Sequence, residues 1–138
     1  MAENTFMLEV VTPERVVLSD EVQFVVVPAA EGEVGILRGH APMVAGLKIG
    51  VLRYTAKDGV VRHMAVSGGF MEVIDNEAIV LAETAERGTE IDILRAKAAK
   101  ERAERRLQQR TEEISFTRAQ MALQRALARI KAAEADRP

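Results

Sequence analysis

The spacing of apolar residues changes once along this 138-residue chain, at about Thr89. Before that point, short apolar runs with a period of two are separated by glycine, proline and polar residues, as is typical of β-strands. After it, glycine and proline are absent until Pro138, and apolar residues recur every three or four positions. The chain therefore divides into a strand-rich part and a helical part, and we place the division between residues 85 and 86.

The first part, residues 1–85, is predicted to be an antiparallel β-sandwich or flattened barrel. Its short runs follow one another at about ten-residue spacing with no helical period between them, which favours antiparallel pairing over a parallel sheet. Lys57-Asp58-Gly59 and Asp75-Asn76-Glu77 each separate two apolar runs, so two hairpins in tandem are expected. Ser19-Asp20 interrupts a run of β-branched residues and is expected to be a turn.

The second part, residues 86–138, is predicted to be a two-helix antiparallel hairpin, which makes the fold class α+β. Thr89 and Asp92 have the spacing of a capping box at the start of the first helix. The polar segment 108–113 separates the two helices, and a short link favours antiparallel neighbours. Each helix carries one narrow stripe of small or apolar residues: Ala96, Ala99, Ala103 and Leu107, then Phe116, Ala119, Leu123, Ala126, Ile130 and Ala133.

The alanine content of these stripes has an energetic consequence. Alanine is the best helix former, but its methyl side chain buries little apolar area. Because burial stabilises by about 25 cal/mol per Å², the two helices attract each other weakly. We therefore expect a hairpin that is able to open. A plain dimerisation arm is the alternative that the same pattern allows.

Composition excludes several classes of function. The chain has no cysteine, which excludes disulfides, a thiolate nucleophile and cysteine-ligated metals, and its 4% aromatic content disfavours nucleic-acid binding by base stacking. No apolar run approaches the roughly 18 residues of a membrane span. His40 and His63 have no companion ligands in the sequence, and no glycine-rich phosphate loop is present. We expect no catalytic site and no metal.

Charge is distributed unevenly. Residues 1–90 hold 7 Lys/Arg against 14 Asp/Glu, a net charge of −7, whereas residues 91–138 hold 12 against 7, a net charge of +5. The predicted hairpin is therefore basic and the predicted sandwich acidic.

Four arginines have spacings that suit an anion site. Arg95 and Arg102 are seven residues apart on the first helix, and Arg125 and Arg129 are four apart on the second, so each pair shares a helix face. In a closed hairpin, four guanidinium groups could converge on phosphate oxygens, and Asp92 could accept a hydrogen bond from the same ligand. A solvated or salt-bridged helix face is the alternative.

Four ordered segments together resemble the epsilon subunit of bacterial F-type ATP synthase over the whole length of the chain. They are Glu31-Gly32-Glu33-Val34-Gly35-Ile36-Leu37 with Gly39-His40-Ala41-Pro42, Ser67-Gly68-Gly69-Phe70 with Glu72-Val73, Ala82-Glu83-Thr84-Ala85, and Ile91-Asp92-Ile93-Leu94-Arg95-Ala96. The last segment matches the family's nucleotide motif, [IL]-D-x-x-R-A.

This resemblance implies a non-catalytic subunit with a sandwich of about ten strands that binds the gamma stalk and the ring of c subunits. It implies helices that either fold onto the sandwich or extend toward the catalytic alpha and beta subunits and inhibit ATP hydrolysis. ATP, as a regulatory ligand without a required metal, would favour the compact, non-inhibitory form. The location implied is peripheral, at the cytoplasmic face of the bacterial cell membrane, with membrane contact only through the complex.

The resemblance also implies two sets of site residues. The ATP-binding set comprises Glu86, Ile91, Asp92, Arg95, Ala96, Arg102, Arg125 and Arg129, and the set facing the c ring and stalk comprises Glu31, Gly32, Glu33 and His40. Two other functions remain as alternatives: a free-standing ATP-sensing module, and an enzyme whose titratable groups the sequence does not reveal.

Overall fold

The computed structural model describes residues 4–109 and 112–137, and in that part of the chain nine strands precede two helices. This confirms the α+β class, with nine strands where the resemblance implied about ten. The elements are β1 (Phe6–Val11), β2 (Val16–Ala29), β3 (Gly32–Leu37), β4 (Met43–Gly46), β5 (Gly50–Ala56), β6 (Val61–Ser67), β7 (Phe70–Ile74), β8 (Glu77–Leu81), β9 (Thr84–Arg87), a 3-10 turn (Gly88–Glu90), α1 (Ile93–Gln108) and α2 (Glu113–Ala135).

The strands form one hydrogen-bonded sheet in the order β4-β7-β8-β1-β2-β5-β6-β9, with β3 paired to β2 beside that path. The two predicted hairpins are β5–β6 and β7–β8. One pair departs from the predicted antiparallel arrangement, because β1 runs parallel to β8. Tight turns impose antiparallel pairing only on neighbouring strands, and β1 and β8 are far apart in the chain.

The predicted turn at Ser19-Asp20 is wrong, because β2 continues through it as a single 14-residue strand. Ser19 lies opposite Glu9 and Asp20 opposite Leu8, so β1 supplies the backbone partners of this polar stretch. Beyond it, β2 pairs with β3 on one side and β5 on the other. The long strand thus joins the two halves of the sheet.

Large side chains fill the interior of the β part. Phe6, Leu8, Leu52, Met64 and Met71 are each no more than 2% exposed and belong to one apolar cluster. Full burial of a side chain of this size contributes about 1.5–3 kcal/mol, so these residues account for a substantial share of the stability of the fold.

The helical part begins later than the sequence predicts, since the division placed between residues 85 and 86 falls inside β9. Thr89 lies in the 3-10 turn, and Ile91 has extended backbone angles that separate this turn from α1. Asp92 is the N-cap of α1, and its Oδ1 accepts a hydrogen bond from the Arg95 main-chain N–H at 3.1 Å. The capping residue is therefore Asp92, with no capping box starting at Thr89.

Alanines do form the contact between the helices. Ala96 and Ala103 of α1 and Ala119 and Ala126 of α2 are each at most 3% exposed, and α1 packs along α2. Phe116, which the sequence places on the same stripe, is 39% exposed. The predicted link at residues 108–113 includes residues 110 and 111, which lie outside the described part of the chain.

The apolar stripe of α2 also packs on the sheet, where Ala128 and Ala132, which lie outside the predicted stripe, widen the contact. Ala128, Ala132 and Ala133 form a small apolar cluster with Ala65 of β6 and with the start of the helical part. The hairpin therefore lies on β5 and β6 in a compact arrangement. Over the described residues, neither helix has an apolar stretch long enough to cross a bilayer.

Candidate functional site

A cleft of about 750 Å³ lies where the hairpin meets the sandwich. Its walls come from α1, from β9, from the turn between β1 and β2, and from one residue of α2. Seven of the eight predicted ATP-binding residues line it: Glu86, Ile91, Asp92, Arg95, Ala96, Arg102 and Arg129. Because these residues belong to three different elements, the cleft has this composition only while the hairpin is closed.

The eighth residue, Arg125, lines a different cleft. This second cleft, of about 610 Å³, lies between the helices and also contains Arg106 and Arg118. Arg125 is one helical turn from Arg129, and that turn is enough to place the two guanidinium groups in separate clefts. The first cleft therefore unites three of the four arginines that the sequence singles out.

The α1 side of the cleft presents both apolar and polar groups. Ile91 and Ala96 are each 3% exposed and form an apolar wall. Asp92 is exposed, although one of its oxygens caps the helix. Arg95 and Arg102 are exposed two helical turns apart, as the seven-residue spacing predicts.

An ion pair crosses from the sandwich to α2 at this cleft. Arg129 Nε donates to Glu86 Oε1 at 2.6 Å, with the two side chains 31% and 40% exposed. A partly exposed pair of this kind contributes at most about 1 kcal/mol. Its importance is geometric, because it holds the Arg129 guanidinium beside β9.

The sandwich contributes residues to the cleft that sequence reasoning missed. Thr12, Glu14 and Arg15 come from the turn between β1 and β2, and Arg15 lies 3.7 Å from Glu90 in an ion pair with both side chains more than half exposed. No local signal could have found them, since this turn is far from the helices in sequence.

Side chains of both charges surround the cleft. Its described lining includes four arginines and five acidic residues. Arg95, Arg102 and Arg129 belong to the two helices, whereas four of the five carboxylates precede α1 in the chain and Asp92 caps it. Guanidinium groups suit phosphate oxygens, and carboxylates suit amine and hydroxyl donors, so the lining offers both kinds of contact to one ligand.

The residues predicted to face the c ring and stalk do not form one cluster. Glu31 lies in the tight turn before β3, whereas His40 follows the other end of this strand, which is about 17 Å long at the usual rise per residue. Glu31 is exposed, Gly32 and His40 are half-buried, and the exposed Glu33 pairs with Arg53 at 2.8 Å.

An exposed apolar stripe crosses the sheet on strands that the hairpin does not cover. Phe70 lies opposite Leu81, Leu81 beside Val11, and Val11 beside Val16, so these side chains share one face. Phe70, Leu81 and Val16 are 61%, 53% and 55% exposed. The β7 sequence FMEVI carries a signal for this surface, because it has large apolar residues on both strand faces.

Comparisons with known proteins agree with this architecture. The model for the beta-sandwich domain of the ATP synthase Delta/Epsilon chain matches residues 5–88, and the model for its long alpha-helix domain matches residues 89–134. The chain belongs to the ATP synthase delta/epsilon chain family. Membership confirms the resemblance identified from the four sequence segments.

Individual relatives support the epsilon assignment. The ATP synthase epsilon chain of Syntrophomonas wolfei is 69% identical over 134 residues, covering 97% of this chain and 98% of the relative. That of Desulforamulus reducens is 55% identical over 131 residues, covering 95% and 98%. The chain is thus an epsilon subunit of ATP synthase, a non-catalytic component, as predicted.

Solved structures give the same picture. A chain in the structure of the Euglena gracilis mitochondrial ATP synthase, described as containing OSCP, F1 and the c ring, matches with a TM-score of 0.82 at 26% identity. The match covers 94% of this chain and 81% of that chain. A chain of the Tetrahymena thermophila enzyme, with a TM-score of 0.56 at 14% identity, shares the fold.

The capping role of Asp92 can be tested independently of any role in ligand binding. Asp92→Ala removes the cap of α1 and is expected to lower the free energy of local unfolding of its first turn by about 1 kcal/mol. Asp92→Asn keeps a capping oxygen and is the control. Hydrogen exchange of the first amides of α1 measures this difference. Equal protection in the alanine variant and the parent would contradict the capping role.

Proposed function

We propose that this subunit connects the central stalk to the c ring of a rotary ATP synthase and regulates ATP hydrolysis through its hairpin, with ATP as the regulatory ligand of the closed form. The main support is the cleft, which unites seven of the eight ATP-binding residues that the family resemblance implies. Regulation, ATP binding and the particular partners go beyond family membership.

The chemistry of the cleft suits a nucleotide. Its volume falls within the range of about 300–1,000 Å³ that is usual for small-molecule sites. Arg95 and Arg102 would hold the phosphates, while Glu86, Ile91 and Asp92 would contact the adenosine end. Arg129, paired with Glu86 at 2.6 Å, would lie beside that end. Among the described residues, no group of three acidic or histidine side chains is arranged to hold a metal ion.

Closure and binding are linked because the lining residues come from separate elements. Opening the hairpin separates Arg129 of α2 from Glu86 of β9, so the open form loses the site. A ligand at one hundred times its dissociation constant stabilises the form that binds it by about 2.7 kcal/mol. That amount is large compared with a single half-exposed ion pair, so ATP would be able to shift the equilibrium toward closure.

Inhibition by the open form is supported by the charge of the helical part. Residues 91–138 carry a net charge of +5, and Arg118 and Lys131 are exposed even in the compact arrangement. A basic extended helix would be attracted to acidic surfaces of the catalytic alpha and beta subunits, and salt would screen this attraction.

The apolar stripe favours a subunit docked on the stalk over a free-standing ATP sensor. Exposed apolar surface of this kind usually marks a protein interface. Phe70, Leu81 and Val16 lie on strands other than β5 and β6, so the gamma subunit could occupy the stripe while the hairpin is closed. The Glu31 turn would contact the c ring, and the complex would hold this subunit at the cytoplasmic face of the membrane.

ATP binding is tested with paired arginine variants of the full chain. Arg95→Ala and Arg102→Ala are each expected to weaken ATP binding about tenfold or more, because each removes a charge-assisted contact to phosphate. Arg105→Ala is the control, since Arg105 is exposed on the same helix and does not line the cleft. Calorimetric titration measures the affinities. Equal affinity in all three variants, or no binding by the parent at millimolar ATP, would refute the site.

Docking is tested at Phe70. Phe70→Glu is expected to leave the stability of the chain within about 0.5 kcal/mol, because the side chain is 61% exposed, yet to weaken binding to the isolated gamma subunit. Val60→Glu serves as the control at an exposed apolar residue in the turn between β5 and β6. Unchanged gamma binding in the Phe70 variant would exclude this face.

Regulation is tested in the assembled enzyme with a subunit truncated after Arg87, where β9 ends. The sandwich core and the apolar stripe remain, so assembly should persist while the rate of ATP hydrolysis rises several-fold. The comparison is the same enzyme with the full-length subunit at equal occupancy. Unchanged hydrolysis would show that the helices do not inhibit.

A further inference from the structure

The residues that follow α2 bind the sandwich through a nearly buried carboxylate. Asp136 accepts hydrogen bonds from the main-chain N–H of His63 on β6, at 3.0 Å to Oδ1 and 3.1 Å to Oδ2. The His63 ring Nδ1 lies 2.8 Å from Oδ1, and the Asp136 side chain is only 6% exposed. These contacts join the C-terminal end of α2 to β6.

Arg137 binds the connection between the sandwich and α1. Its Nη1 donates to the carbonyl oxygens of Gly88 and Ala133, each at 3.2 Å. Its Nη2 donates to the carbonyl oxygens of Ile91 at 2.8 Å and Thr89 at 3.4 Å. The Arg137 guanidinium therefore joins three residues of the connection, Gly88, Thr89 and Ile91, to the last turn of α2.

Gly88 shows how closely these parts approach. A Cβ at this position would lie 2.4 Å from the carbonyl oxygen of Ala132 and 2.6 Å from Asp136 Oδ2. The φ angle of Gly88 is not positive, so its own backbone conformation would accept a side chain. The requirement for glycine thus arises from the docked end of α2 and disappears when the hairpin opens.

We propose that Gly88, His63, Asp136 and Arg137 form a latch that holds the hairpin closed on the sandwich. Its contacts join parts of the chain that separate on opening, and hydrogen bonds to charged groups are stronger than neutral ones. Weakly attractive alanine surfaces alone would leave the closed form marginal. The latch makes closure depend on a few specific polar contacts.

The latch also reaches the candidate nucleotide cleft. Arg137 binds the carbonyl oxygen of Ile91, whose side chain lines the cleft immediately before the capping residue Asp92. Arg137 is therefore a positioning residue for that cleft, and this second role rests on the proposed function. When only a fraction of molecules is closed, the apparent dissociation constant rises by the inverse of that fraction.

The test measures closure directly in the full chain. The sequence has no cysteine, so Arg38→Cys on the sandwich and Gln124→Cys on α2, both exposed, accept spin labels without competing sites. Pulsed electron paramagnetic resonance then reports the distance distribution without nucleotide and with saturating ATP. Urea unfolding of each variant verifies that the sandwich is intact.

Two latch variants act at different elements, each with a matched control. Arg137→Gln removes the guanidinium, and Lys131→Gln removes an exposed cation from the same helical part. Gly88→Ala adds a Cβ against α2, whereas Gly46→Ala adds one in open space, also at a residue without a positive φ. Without nucleotide, both latch variants are expected to increase the ratio of open to closed molecules about tenfold, while the controls match the parent.

Each outcome decides the proposal. Distance distributions in both latch variants that match the parent would overturn it, as would equal opening in the controls. If the parent does not bind ATP, the proposed regulatory function fails, yet the distances without nucleotide still decide whether the latch exists. If the parent binds ATP, the latch variants should bind it more weakly by the factor by which their closed fraction falls.

Discussion

The close approach of α2 to the sheet is the contact on which the compact arrangement depends. Ala128, Ala132 and Ala133 permit it because their side chains are single methyl groups, and Gly88 permits it by having no side chain. These small side chains remove little apolar area from water, and burial stabilises by about 25 cal/mol per Å². Packing of α2 on the sheet therefore sets the position of the hairpin but stabilises the closed form little. Polar contacts decide whether the hairpin stays closed.

The sandwich is built in the opposite way. Phe6, Leu52, Met64 and Met71 are almost fully buried, and β2 joins both halves of the sheet along its 14 residues. Large apolar burial makes this part a permanent scaffold, whereas the hairpin depends on contacts that can be exchanged. The difference suits the proposed function, in which the sheet would stay attached to the stalk while the helices change position.

The sequence predicts those features of the candidate cleft that depend only on the geometry of one helix. Arg95 and Arg102 share an exposed face because residues seven apart complete two helical turns, and Asp92 precedes them because short polar side chains cap helices. Helical periodicity did not place Arg125, which is one turn from Arg129 yet lines another cleft. Which arginine reaches the first cleft depends on how the two helices sit on the sandwich.

The sequence by itself determined the order of strands before helices, the alanine contact between the helices and the family, since these follow from local periodicity and ordered motifs. Tertiary structure alone decided the parallel pairing of β1 with β8, the presence of Arg15 in the cleft and the contacts of Arg137. These join residues that are distant in the chain. Their positions follow from packing of the whole fold, about which local spacing carries no information.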